Sequence, residues 1–253
     1  MPTSENLQNS PGLKAQAADI AETLLWALLI ALVLRAFIFQ PFTIPSDSME
    51  PTLLSGDYMV TTKADYGFSR HSIPFSPPLF KGRLLERQAR RGDVIVFKLP
   101  RDTHEDYVKR LIGLPGDHIQ VIHSVVFVNG RPLRRETLGP AQDPDNPARR
   151  VTRVRETLPD GRNYVVLSED PYHDGENTGV YVVPPGHYFF MGDNRDNSSD
   201  SRWPREIGVG YVPAENLEGR ARIILASWRM GAGILKPWTW LAIQPERFFR
   251  TLD

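Results

Sequence analysis

Residues 93–130 read DVIVFKLPRDTHEDYVKRLIGLPGDHIQVIHSVVFVNG. The run Asp93–Leu99 packs β-branched and aromatic residues into seven positions, a length and composition that suit a buried strand. Pro115-Gly116-Asp117 is a turn signal, and His118–Val128 is a second strand-type run. Asn129-Gly130 then predicts a hairpin from Val125–Val128 to Arg131 onward, because both turn residues tolerate positive φ. Outward from this stretch the same pattern recurs. Short apolar runs stand at Tyr58–Thr62, Tyr164–Leu167, Val180–Val183, His187–Met191 and Arg220–Ala226. Turns at Ser55-Gly56-Asp57, Arg91-Gly92 and Pro184-Pro185-Gly186 punctuate them. With 19 Gly and 22 Pro in 253 residues, the chain reads as turn-rich and mainly β, not as a helical bundle. Tyr66–Arg91, rich in Pro and basic residues, and the polar Arg134–Asp160 read as insertions.

One segment breaks the pattern. Ile20–Phe39, IAETLLWALLIALVLRAFIF, is apolar all round a helix, and twenty residues at ~1.5 Å rise span a ~30 Å bilayer core. Arg35 lies close enough to one end to snorkel. A cleavable leader would show a basic n-region and a small-x-small site after the apolar run. Here one Lys stands among acids, and the run exits into Gln40-Pro41-Phe42-Thr43-Ile44-Pro45, so a retained anchor is the reading.

The net charge is zero, from 30 basic and 30 acidic residues, and there is no cysteine. Balanced charge argues against a nucleic-acid binder built on overall basicity. Zero cysteine removes disulfides, thiol nucleophiles and Cys-ligated zinc. The neutral total is a cancellation: residues 1–40 carry net -1, residues 41–218 net -3 and residues 219–253 net +4. Trp228, Trp238, Trp240, Phe248 and Phe249 lie among the basic residues of that tail. The mixture suits an anionic lipid surface, and equally a tail packed on the domain.

Most catalytic motifs are missing. There is no G-x-S-x-G, P-loop, G-x-G-x-x-G or H-E-x-x-H, and the six histidines show no metal-ligand spacing. The stretch from Asp193 fails as a calcium loop, since its sixth position is Ser198 and its twelfth Pro204. No metal or cofactor is expected. Three segments stand out: Ile44–Leu53 with Ser46 and Ser48 between prolines, Asp106–Asp117 with Lys109, and Gly192–Arg202. Each alone has a bland reading, as a turn, a strand end and an Asx-laced turn respectively.

Together they closely resemble the type I signal peptidases, membrane-bound Ser–Lys endopeptidases. The family's boxes stand here as PSDSMEPTL, RGDVIVFKLP, YVKRLIGLPGD and GDNRDNSSDSR, in order, over about Gln40 to Ala226. The resemblance implies Ser48 as nucleophile and Lys109 as general base. It implies an oxyanion hole from the Ser46 hydroxyl and the Ser48 N–H. Ser198 matches the serine that orients the lysine, with Asp200, Arg202 and Asp193 in support. Phe42, Ile44, Pro45, Met49, Leu53, Tyr107 and Val108 fall where the family lines its pockets for small residues. The implied fold is an antiparallel β catalytic domain with a smaller inserted β cap, behind one N-terminal transmembrane helix. The expected division is a polar tail (1–19), an anchor (20–39), a catalytic domain (40–130 and 186–227), a cap (131–185) and a basic aromatic tail (228–253). The implied partners are signal-peptide-bearing precursors and membrane lipid, with no nucleic acid. The implied state is a monomer, single-pass in a bacterial inner membrane with the β domain outside.

The chemistry sets conditions. Lysine can act as a base only when neutral, and at a pKa of ~10.4 about one molecule in a few thousand is neutral at pH 7. Burial can lower that value by ~3–5 units, and Val108, Leu111, Ile112 and Leu114 supply apolar material around Lys109. Only nine steps separate Phe39 from Ser48, which keeps the serine within ~30 Å of the membrane. The family usually has Gly before the nucleophile, where this chain has Asp47. An aspartate tolerates φ > 0, and its carboxylate is expected to point to solvent, away from the lysine. Two rivals remain: a catalytically silent anchored binding domain, and Ser–Lys proteases of other substrates, such as pilus-processing or self-cleaving repressor types.

Overall fold

The computed structural model describes residues 13–73, 75–142, 149–169, 175–229 and 235–252. Leu13–Phe37 form one helix, and its Gln16–Arg35 stretch has a mean hydropathy of 2.0 with none of it buried. Apolar residues surround that helix without a polar face, so nothing in the sequence selects a side for packing. The helix stops earlier than the expected Phe39. Pro41 disfavours helical backbone at Gln40 and brings no N–H of its own, and Phe39–Thr43 runs on as a strand.

The rest is antiparallel sheet. The main sheet runs in the order Phe39–Thr43, Asp57–Thr62, Leu217–Ser227, Val94–Leu99, Asp102–Gly113, His187–Met191 and Val212–Pro213. Arg250–Thr251 joins it beside Leu217–Ser227. The strand Asp102–Gly113 takes in the lysine segment, which by its bland reading was only a strand end. Its pairing with His187–Met191, in the register Met191↔Arg110, delivers Gly192 onward next to Lys109.

A four-stranded sheet orders Tyr181–Val182, His118–Ile122, Val125–Val128 and Arg131–Pro132. The run His118–Val128 is therefore two strands, turning at His123 (φ 49°) and Ser124 (φ 62°). Neither residue is a usual left-handed turn residue. The turn is held from outside, by His123 N–H on Asn177 Oδ1 (2.9 Å) and Ser124 N–H on Glu176 O (3.1 Å). A three-stranded sheet, Arg134–Gln142, Arg150–Thr157 and Asn163–Ser168, occupies most of the supposed polar insertion. Residues 131–185 thus supply this sheet and both edges of the four-stranded one, whose central strands precede residue 131.

Between these two small sheets and the main one lie Ile112, Ile119, Val126, Val166 and Phe189, all fully buried. A separate apolar cluster of Met49, Leu53, Met59, Val96 and Ile224 sits beneath the Ser48 turn. Each such side chain contributes roughly 1.5–3 kcal/mol by leaving water. Part of the C-terminal tail is packed: Leu252 is buried, and Arg247 pairs with Asp57 through Nε (2.9 Å) and its terminal nitrogen. Trp228 stacks edge-on to Tyr58 at 5.1 Å, whereas Trp238 and Leu241 are exposed.

Candidate active site

Ser48 sits in a tight turn whose apolar residues anchor it. Glu50 N–H bonds to Asp47 O (3.0 Å) and Leu53 N–H to Met49 O (2.9 Å), while Met49 and Leu53 are fully buried below. The turn leaves the strand at Ile44, whose N–H bonds to Asp57 O, and rejoins it at Asp57, whose carboxylate accepts from Leu54 N–H (2.9 Å). From the far side, Asn194 N–H donates to Ser48 O (3.1 Å). Both ends of the Ser48 segment are therefore fixed by hydrogen bonds.

Lys109 reaches this turn from the Asp102–Gly113 strand, and its Nζ donates to Ser48 Oγ. The side chain is 3% exposed and stands 5.6 Å above the Tyr107 ring, its i−2 neighbour on the same strand face. Burial lowers the Lys109 pKa to about 8, against the pull of the Asp200, Asp193 and Asp47 carboxylates. At that value roughly one molecule in ten is neutral at pH 7, a gain of more than a hundredfold over free lysine. Ser46 Oγ lies 3.4 Å from Ser48 Oγ at the cleft mouth.

The next strand face builds the support. Arg110, one residue on, points oppositely and grips Asp193 through two bonds of 2.7 and 2.6 Å, over the face of Tyr164 (4.2 Å). Asp200 accepts from Arg202 Nε (2.9 Å) and from Gly192 N–H (2.9 Å). Burial opposes ionisation of Asp200, but the Arg202 guanidinium outweighs it and holds the carboxyl below the ordinary range. Gly192 is required by close approach, since a Cβ there would lie 2.5 Å from Ser48 O and overlap the Ser198 side chain. Loss of one partner from either fully buried pair is expected to cost ~3–5 kcal/mol.

Two expectations differ from the geometry. Ser198 is buried beside Gly192 and lines the cleft, but its Oγ has no hydrogen-bond partner among the described residues, while Lys109 Nζ donates to Ser48. Asp47 does not point away to solvent. It lines the cleft, its Oδ2 accepts from Asn197 Nδ2 (2.6 Å), and it raises the Lys109 pKa. Its φ is not positive, so the position does not need glycine.

The cleft holds about 600 Å³. Of the expected substrate-pocket residues, Pro45, Tyr107 and Val108 line it. Ile44, Met49 and Leu53 are buried in the core beneath, with Phe42 packed against the same cluster, so they form a foundation and not a wall. Trp203 and Asp106 line the cleft and were not anticipated. Trp203 fixes the Ser198 backbone by donating from Nε1 to Ser198 O (3.2 Å). Its signal was one large aromatic directly after Arg202. Among the described residues no group of His, Asp or Glu is arranged to hold a metal.

A buried serine hydroxyl bonded to a lysine of lowered pKa, at the wall of an open cleft, can carry out acyl transfer through a covalent ester. The chain is similar to known proteins along most of its length. The family described as signal peptidase, peptidase S26, matches residues 17–228. Signal peptidase I of Rickettsia typhi is 41% identical, over 98% of this chain and 97% of that protein. The Rickettsia akari protein of the same name is 41% identical over 90% of each. A solved signal peptidase I from Enterococcus faecalis V583 is 24% identical, covers 53% of this chain and 97% of that one, and has a TM-score of 0.32.

Proposed function

The chain belongs to the peptidase S26 family of signal peptidases, and from that membership we propose that it is a membrane-anchored serine endopeptidase. In this reading it cuts signal peptides from exported precursors, with Ser48 as nucleophile and Lys109 as general base. The observation that carries the assignment is the hydrogen bond from the buried Lys109 Nζ to Ser48 Oγ.

Neutral Lys109 takes the Ser48 proton as Oγ attacks the scissile carbonyl. The oxyanion is received by the Ser48 N–H and the Ser46 hydroxyl, donors of a kind worth ~3–4 kcal/mol in other acyl-transfer sites. The Lys109 ammonium then protonates the leaving amine, and the same base activates water to hydrolyse the acyl-enzyme. When Nζ carries the extra proton, the unpartnered Ser198 hydroxyl is the group available to accept from it. Asp193, Asp200 and Arg202 keep the Gly192–Arg202 loop against Ser48. Pro45, Tyr107 and Val108 contact the residues before the scissile bond, over the floor of Phe42, Ile44, Met49 and Leu53.

The anchor reading is supported by the apolar helix Gln16–Arg35, none of it buried, with Ser48 thirteen residues further on. A signal peptide lies in the same bilayer, so anchoring supplies proximity. The proposed organisation is an anchor over 20–37, a catalytic sheet that begins with the strand Phe39–Thr43 and takes in residues to 130 and 186–227, and a cap over 131–185. A single pass with the β domain on the outer face, acting as a monomer, completes the reading. The test is cleavage of a signal-bearing precursor by the full chain in vesicles. The wild type is expected to release the signal peptide and Ser48→Ala to release none. Cleavage by Ser48→Ala, or none by a folded wild type, would overturn the assignment.

A further inference from the structure

Where the apolar helix meets the sheet there is a second cavity, of about 410 Å³. Leu32 and Arg35 from the helix end line it, together with Lys63, Lys98, Asp106 and Glu218 from the sheet. The backbone fixes this meeting point, since Lys63 N–H donates to Ile38 O (3.1 Å) just past the last helical turn. If Gln16–Arg35 spans the bilayer, as proposed above, the cavity opens at headgroup depth.

Its charges are unevenly matched. Lys98 Nζ is satisfied by Asp106 (2.6 Å) and Glu218 (3.6 Å). Lys63, 2% exposed, donates to the uncharged Ser72 O (2.5 Å), and Arg35 has no carboxylate partner among the described residues. Burial lowers the Lys63 pKa to about 8, with the Glu218 carboxylate opposing and the Arg35 guanidinium adding to the fall. Neither cation has a salt-bridge partner among the described residues, although the Glu218 carboxyl shares the cavity and acts on Lys63. Across the cavity, Glu218 is 2% exposed, burial raises its pKa to about 7, and its Oε2 has no hydrogen-bond partner among the described residues, so a donor brought by a ligand would hold its ionised form.

A single ligand that answers both needs carries a phosphodiester and, a few ångströms away, an N–H or O–H donor. We propose that this cavity binds a phospholipid headgroup, its phosphate on Arg35 and Lys63 and its amine or hydroxyl on Glu218. Asp106 lines both this cavity and the serine cleft, so the Lys98–Asp106 pair connects an occupied headgroup site to the substrate groove.

The experiment uses the full chain in a phosphate-free maltoside detergent, with lipid retention read by native mass spectrometry. Phosphatidylethanolamine and phosphatidylglycerol, which carry donors, should be retained at least about fivefold better than phosphatidylcholine, which has none. Lys63→Met should lower retention of all three lipids. Glu218→Leu should abolish the preference for donor-bearing headgroups while phosphate lipids still bind, which separates a lost site from a lost fold. Equal retention of all three lipids by the wild type, or variants that change nothing, would overturn the proposal. So would equal competition by millimolar inorganic phosphate, which would make the site one for free phosphate. Flotation with phosphatidylcholine vesicles tests the anchor separately: a chain that fails to float refutes the anchor, whereas one that floats without headgroup selectivity refutes only this site.

Discussion

Asp47 lies between the two serines and lines the same cleft as Lys109. Its carboxylate favours the Lys109 ammonium, but its bond to Asn197 also ties the serine turn to the 192–202 loop. Asp47→Asn keeps a side chain able to bond Asn197 and removes the charge. The acidic limb of kcat/KM is expected to move down by a few tenths of a pH unit up to about one. An unmoved limb would show that the carboxylate is screened. Lys109 itself costs stability. Its folded pKa, about 8, lies below the ordinary 10.5, so between those values the unfolded chain binds more protons and stability rises with pH. Below pH 8 the full penalty applies, on the order of 3 kcal/mol. Lys109→Met should therefore melt several degrees higher than the wild type at pH 7 while cleaving nothing, and a lower Tm would contradict the buried-lysine account. The serine and lysine boxes were legible because their residue order is distinctive. The direction of Asp47 and the idle Ser198 hydroxyl were not, since both depend on where Asn197 and Gly192 arrive from another loop.

Among the elements, the three-stranded sheet is coupled to the Gly192–Arg202 loop by more than proximity. Leu167 N–H bonds to Asp193 O (2.9 Å) and Arg195 N–H to Leu167 O (2.9 Å), so the loop pairs with the edge of Asn163–Ser168. Arg195 then reaches Glu156 through two bonds of 2.6 Å, both side chains buried, with Tyr164 Oη donating to the same carboxylate (2.9 Å). Glu156→Gln leaves the guanidinium buried and short of its anion, and is expected to destabilise by ~3 kcal/mol and to lower kcat more than it raises KM. A change confined to KM would place the pair in substrate binding. This strand was hidden in the sequence. In Arg150–Thr157 the buried positions are Val151, Val154 and Glu156, so the alternation breaks between Val151 and Val154, one buried position is a carboxylate, and the composition reads as loop. Val94–Leu99 and His187–Met191 in the main sheet were legible because their buried positions are all apolar or aromatic.

For the molecule as a whole, the sheet and the tail converge on the serine turn, and the apolar helix runs into the strand that leads to it. The tail contributes through Arg247, which pairs with Asp57 and donates to Thr52 O (3.1 Å), bracing both the turn's end and its middle. Arg247→Ala should lower Tm and cleavage together, and an unaffected enzyme would show the tail to be a passenger. The uneven charge of the chain had marked the tail as distinct but not as a brace, because a buried Arg–Asp pair 190 residues apart in sequence leaves no local signal. Every part of this account passes through one claim, that a lysine with a lowered pKa activates Ser48. The most direct test is the pH dependence of kcat/KM for precursor cleavage by the full chain, beside Lys109→Met. The account predicts an acidic limb near pH 8 and no cleavage by the variant at any pH. A limb near pH 6.5, where a histidine would titrate, or a variant that still cleaves, would contradict it.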